Sequence, residues 1–366
     1  MQKGIINNKS RIICNAKMKK YTFFLACILL CFFISCRNIG KPIDKQKSGS
    51  YFIDSNGQIA YCQNGNWFSL GISQMQADAK SFEVLSEDIA KDKNAVYFRG
   101  TTQKLVDKNS FYVDNQIPKD RFHVYYIDQA LGFNIIQGAD PKTYELVKDH
   151  INWSRDKEHY FYSNDMIKAD RKTFSFVNDY FLMDKDSVYV SPNIGTFKAV
   201  VANSGNIEAI NKYYIRIGNT IYYPPFQQGS DVITRSFKTI DKIRVLDQDH
   251  ISVDNKTILF RGKSFRYEQV DAPSFALFPI DEKNDVYGSN SYSKDKNNVY
   301  YNQEIIPGAD IKTFIPLGHD FGKDAKNVFY QKQLIEGVDA NSFKKDGDFY
   351  KDNRGNKFSG LTGNKI

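Results

Sequence analysis

The sequence predicts a mainly β protein, a tandem array of β-hairpin-like repeats of about 29 residues, each with a short capped helical turn. Three observations lead there. A turn-and-strand string, Asp-Lys-Asn-x-Val-Tyr-Tyr, recurs along the chain, and a second string, Gly-Ala-Asp-x-Lys-Thr-Phe, recurs between its copies. The two also keep phase, with 15 residues from Asp295 to Asp310, 14 from Asp310 to Asp324 and 15 from Asp324 to Asp339. The chain of 366 residues is 41% hydrophobic and 14% aromatic, which excludes a disordered polyelectrolyte, a collagen or a disulfide miniprotein.

The first element of the unit is a turn that launches a strand. Copies start at Asp92, Asp107, Asp156, Asp184, Asp295 and Asp324. Asp and Asn side chains accept from backbone N–H groups two residues on, and the β-branched and aromatic residues that follow have strand propensity. Val96 and Phe98 share a face, as do Phe111 and Val113, Val188 and Val190, Val299 and Tyr301, and Val328 and Tyr330; that face is expected in the core. Tyr97, Tyr112, Phe161, Tyr189, Tyr300 and Phe329 then point the other way. Such residues either pack against the aromatic anchors of the second element or form an aromatic stripe. The candidate stripe is Tyr97, Tyr112, Tyr189 and Tyr300, a surface that would stack on sugar rings or dock a protein.

The second element is one helical turn capped by Asp. With Asp310 as N-cap, Phe314 falls at N4 and Ala309 precedes the cap, the arrangement of a hydrophobic staple. The residue before the cap is Ala77, Ala139, Ala169, Val270, Ala309 or Val338, and the anchor is always Phe or Tyr. A unit this short cannot bury both its sheet and its anchor, so neighbours are expected to stack.

The array spans residues 78–350 and drifts over about 191–280, where Asp254 to Gly262 still lies residue for residue over Asp92 to Gly100. Ahead of it, Asn56-Gly57 and Asn64-Gly65 predict two-residue hairpin turns in a β-meander cap over 51–77. Residues 351–366 read as a polar tail. The string Asp295-Lys296-Asn297-Asn298-Val299-Tyr300-Tyr301, with its in-phase partner, resembles the DKNYY-repeat family of bacterial envelope proteins. The resemblance implies a repeat architecture and an envelope location, and carries no activity.

Residues 1–35 read as a lipoprotein-type signal peptide, with Met18 a second candidate start. Lys17, Lys19 and Lys20 precede an apolar run from Tyr21 to Ile34, too short for a spanning helix of about 20 residues. Phe33-Ile34-Ser35-Cys36 resembles a lipobox, which makes Cys36 the candidate lipid attachment site and the membrane a partner through palmitate-type acyl chains. Residues 36–50 read as a polar tether. Four of the five cysteines lie in the leader and at its cleavage edge, so the body has Cys62 alone, expected as a small core residue.

Most of the formal charge of +8 resides in the leader, whose first 36 residues hold six Lys/Arg and no Asp/Glu. The body is nearly balanced, and no nucleic-acid partner is expected. The Asp-x-Asn turns match the first two positions of a calcium loop, but Val96, Phe111, Val188 and Val299 stand where the next oxygen ligand belongs, so an Asx turn is expected and no metal. No motif for a nucleophile, a phosphate loop or a cofactor is present. The expected function is non-enzymatic, a cell-envelope lipoprotein serving as scaffold or binding module for a protein or glycan. The competing class is an envelope glycan hydrolase using an unidentified carboxylate pair.

Overall fold

A computed structural model describes residues 40–194, 197–226, 230–265, 270–279 and 291–366. The leader, Met18 and Cys36 lie outside the described residues. Two compact units divide after Ile167.

Among the described residues the strands form eleven antiparallel sheets in sequence order. Sheets 1 to 5 occupy residues 41–75, 83–102, 112–119, 125–135 and 145–167; sheets 6 to 11 occupy 175–202, 207–236, 243–264, 276–305, 315–335 and 344–359. Eight are four-stranded meanders, and in sheets 2, 5, 6, 9 and 10 the two inner strands are joined by the turn of the Asp-Lys-Asn string, at Asp92, Asp156, Asp184, Asp295 and Asp324. Sheets 3 and 4 are linked by a bridge from Lys119 to Val124, with Asp120 at the turn between them.

The two recurrent strings meet at that turn. Asp92 Oδ1 accepts from the N–H groups of Asn94 and Ala95, both at 2.7 Å, which is an Asx turn. Its Oδ2 accepts from the N–H of Asp78, the cap of the second string, at 2.6 Å and from the Tyr97 hydroxyl at 3.0 Å. The hydroxyl of Ser81 accepts from Lys93 N–H, and the Lys93 ammonium pairs with Asp78 at 2.8 Å. The same lock recurs with Asp184, Asp170, Tyr189, Thr173 and Lys185, and with Asp295, Asp271, Tyr300, Ser274 and Lys296. A buried carboxylate is costly unless each oxygen is hydrogen-bonded, and here both are.

The lock corrects one assignment. Asp107 is the capping Asp, not the strand-launching one: its N–H donates to Asp120 Oδ2 at 2.9 Å, and Arg121 N–H donates to Ser110. Phe111 is therefore an anchor, and Asp120-Arg121-Phe122-His123-Val124-Tyr125-Tyr126 is the turn-and-strand copy. The capped segments are single turns, closed by an i to i+4 bond at Asp140, Asp170, Asp310 and Asp339 and by an i to i+3 bond at Asp78, Asp107 and Asp271.

Packing corrects the expected single core face. Tyr97, Val84 and Ala90 pack with Tyr51, Tyr61 and Met75 of sheet 1, whereas Val96, Phe98 and Ile89 pack with Phe111, Tyr125 and Phe133 of sheets 3 and 4. In the second unit, Tyr300 belongs to a core with Ile258 and Phe260 of sheet 8, and Val299 to one with Phe314 and Phe329 toward sheet 10. Successive side chains point to opposite faces, so a sheet with neighbours on both sides buries both sets. Anchor rings lie on the intervening ring of their own repeat, at 5.9 Å for Phe82 and Tyr97, 5.5 Å for Tyr144 and Phe161, 6.1 Å for Phe275 and Tyr300 and 5.9 Å for Phe314 and Phe329.

Both ends of the described chain are more structured than expected. Lys41–Pro42 pairs with Phe52 and Ile53, and Ser48 and Ser50 are buried, so residues 41–50 belong to sheet 1 and are not a tether. Asn56-Gly57 turns the hairpin between Tyr51–Ile53 and Ile59–Tyr61, but Asn64-Gly65 opens a longer excursion that ends in the helical turn Trp67–Leu70. Lys357–Ser359 is the last strand of sheet 11 with Phe358 buried, so the C-terminal segment is not a free tail. Cys62 is buried.

Candidate functional site

The four tyrosines of the candidate stripe are not brought together on a surface. Tyr97, Tyr189 and Tyr300 are buried with their hydroxyls on Asp92, Asp184 and Asp295; Tyr189, 8% exposed, is the least covered of them. Burial, then the neighbouring carboxylate, pushes the Tyr189 hydroxyl up to about 12, so it stays a donor across the physiological range. Tyr112 is 41% exposed, on a strand of sheet 3, because its repeat is offset by the Asp107 assignment.

The arrangement with binding geometry lies elsewhere, where sheet 7 meets sheet 8 in the drifted stretch. A cleft of about 740 Å³ is lined there by Tyr213, Tyr223, Phe226, Asp249, Arg261 and Gln303, among others. That volume is in the range of small-molecule and oligomer subsites. Strand Thr220–Tyr223 stops at Pro224-Pro225, which lack the N–H a further ladder bond needs. Phe226 then sits among three tyrosines, with ring centroids 5.2 Å from Tyr180, 5.3 Å from Tyr213 and 5.5 Å from Tyr223, at steep interplanar angles. It remains 48% exposed, so a ring face stays open to a ligand.

The polar side of the cleft is fixed by the turn before strand His250–Val253. Asp247 accepts from the N–H groups of Asp249 and His250, which sets the turn. Asp249 Oδ1 then accepts from the Tyr223 hydroxyl at 2.9 Å, and its Oδ2 pairs with Arg261 Nε at 3.1 Å. Burial, followed by the Asp249 charge, drives the Tyr223 hydroxyl far above the ordinary phenol range, so it is a permanent donor. The guanidinium also lies 4.9 Å from the Phe260 ring. Gly262 is required beside it: at φ of 76° a Cβ would stand 2.7 Å from Tyr223 Cβ. Gln303 is oriented by donating from Nε2 to the Lys263 carbonyl at 2.9 Å. Open aromatic faces beside oriented donors and acceptors can hold a ring-bearing, hydroxylated ligand.

The same junction occurs between sheets 1 and 2. Tyr51 and Tyr61 donate to the Asp88 carbonyl and Oδ1, Arg99 pairs with Asp88 at 3.0 Å, and Gly100 meets Tyr61 closely. Cys62 follows Tyr61 where Pro224 follows Tyr223, so the first junction has no counterpart of Phe226. The run Tyr222-Tyr223-Pro224-Pro225-Phe226 has no equivalent in the other repeats; this insertion inside the drifted stretch was the available sequence signal for the cleft.

A family model described as the DKNYY family matches residues 163–314 and 214–358, together more than half of the chain. No curated protein and no solved structure matches it.

Proposed function

Because the chain belongs to the DKNYY family, a repeat module, we propose that it is a non-enzymatic envelope lipoprotein whose repeats form a scaffold for a binding cleft. On this reading Cys36 carries the lipid and the leader directs export. The observation that carries the binding role is the open Phe226 ring beside Asp249, Arg261 and Gln303 in the one stretch where the repeat drifts. The ligand class that suits it is an envelope glycan, whose C–H faces stack on aromatic rings and whose hydroxyls take the polar side. Asp249 already holds a tyrosine hydroxyl and an arginine, an arrangement that positions a ligand.

Calorimetric titration of the body, residues 40–366, with soluble cell-wall glycan fragments tests the proposal. Phe226→Ala is expected to weaken binding roughly ten-fold, the loss of one stacking face, with little change in melting temperature. Equal binding by the variant, or cleavage of the fragments during the titration, would overturn it.

A further inference from the structure

The outer side of sheet 1 carries three large apolar side chains on a single turn. Trp67 is 40% exposed, Phe68 86% and Leu70 57%, and the Trp67 and Phe68 rings are 6.0 Å apart. The turn is held firmly. The Asn66 side chain accepts from Ser69 N–H, Asn64 N–H donates to the Ser50 hydroxyl at 2.9 Å, and Cys62 N–H donates to the Ser50 carbonyl at 2.8 Å. It lies over Phe52, whose ring comes within 3.5 Å of where a Gly65 Cβ would stand. Phe52 and Ala60 alternate with Tyr51, Ile59 and Tyr61, so they point away from the core shared with sheet 2. Repeat arrays end in caps with polar outer faces, and this cap is apolar.

Chain position says what covers it. Sheet 1 begins at Lys41, so Arg37, Asn38, Ile39 and Gly40 are all that separate Cys36 from the folded body. The five residue steps from Cys36 to Lys41 span at most about 18 Å. A lipid on Cys36 would therefore hold sheet 1 against the bilayer. The same segment is basic: Arg37, Lys41 and Lys45 outnumber Asp44, and both lysines are exposed, whereas the Lys47 ammonium donates to the Val84 carbonyl of sheet 2. Such a cluster suits anionic headgroups.

We infer that Trp67, Phe68 and Leu70 insert into the interfacial zone of the anionic membrane that holds the protein, and so orient the scaffold on it. Trp sits well at this depth, where its ring meets acyl chains and its N–H meets headgroups. The inference rests on the lipoprotein reading of Cys36 for its biological setting, but the surface can be tested without the lipid.

The body from Gly40 contains all eleven described sheets and their cores. It is mixed with phosphatidylglycerol-containing vesicles, some with brominated acyl chains. Trp67 and Trp153 are the two tryptophans of the chain, and Trp153 is buried, so quenching by the bromines reports Trp67. The expected result is co-sedimentation with the vesicles, quenched emission, and a roughly ten-fold or greater loss of partition for Phe68→Asp at unchanged melting temperature. Equal partition of wild type and variant, or no partition of either, would overturn the inference. So would self-association of the wild type that Phe68→Asp abolishes without vesicle binding, which would assign the face to a second copy. Fatty-acid labelling of the full chain and of Cys36→Ser separately tests the anchor: unlabelled wild type with vesicle-binding body would sink the lipoprotein reading alone.

Discussion

At the scale of single residues, the recurrent Asp of the well-kept repeats, as at Asp92, Asp184 and Asp324, is buried and held by backbone donors. Burial opposes the charge on Asp92, Asp184 and Asp324, but the N–H groups of the capping Asp and of the turn outweigh it and lower all three carboxyls. The balance is the same at Asp352, where the Asn356 side chain and three backbone N–H groups bring the carboxyl down to about 2 despite burial. The capping Asp78 is held at about 2, chiefly by the Lys93 ammonium. An unfolded Asp titrates near about 3.9. Between that value and about 2 the unfolded chain binds more protons than the native one, so stability rises with pH there. The stabilisation is complete above the unfolded value and is lost as pH falls through the native ones. The melting temperature is therefore expected to be level from about pH 5 upward and to fall steeply between about pH 4 and pH 2. Asp324→Asn, with one acceptor oxygen where the carboxylate uses two, should cost about 1.5–3 kcal/mol at neutral pH. A melting temperature unchanged down to pH 2 would contradict the lock.

At the scale of elements, the capped turn works as a wedge. Ala309 and Phe314 enter the same core, as Ala139 and Tyr144 do in their repeat, so the staple was legible from spacing alone. What the wedge faces was not legible. Gly322, in strand Phe321–Lys323, leaves the space for Phe314: a Cβ there would stand 2.4 Å from the ring. Ala90 and Ser154 hold the matching position against Phe82 and Tyr144. Gly322→Ala should destabilise by about 1–3 kcal/mol through overpacking. Chemical denaturation measures it, and a change below about 0.5 kcal/mol would show that the wedge does not need the gap. The Asp107 string was misread because Asp-Lys-Asn is turn chemistry in either role. Val106 before it and Ser110 three residues after it mark the cap; Val124 and Tyr125, at the fourth and fifth positions after Asp120, mark the strand.

At the scale of the whole molecule, the central statement is that neighbouring residues of one strand serve different cores. The hydrophobic run Val-Tyr-Tyr carries this message, since a strand with one wet face would alternate with polar residues. Phase showed that modules repeat, whereas a single sequence does not show on which side each ring closes. The cleft at sheets 7 and 8 was hidden for a related reason: Phe226 joins Tyr180 and Tyr213 from sequence-distant repeats, a convergence visible only in space. Native-state hydrogen exchange on two adjacent substitutions tests the alternation most directly. Tyr300→Ala should raise exchange in strands His250–Val253 and Thr257–Phe260 of sheet 8, and Val299→Ala in strands Phe321–Lys323 and Val328–Tyr330 of sheet 10. If both substitutions loosen the same neighbour, or neither is felt beyond sheet 9, the two-sided stacking of these modules is wrong.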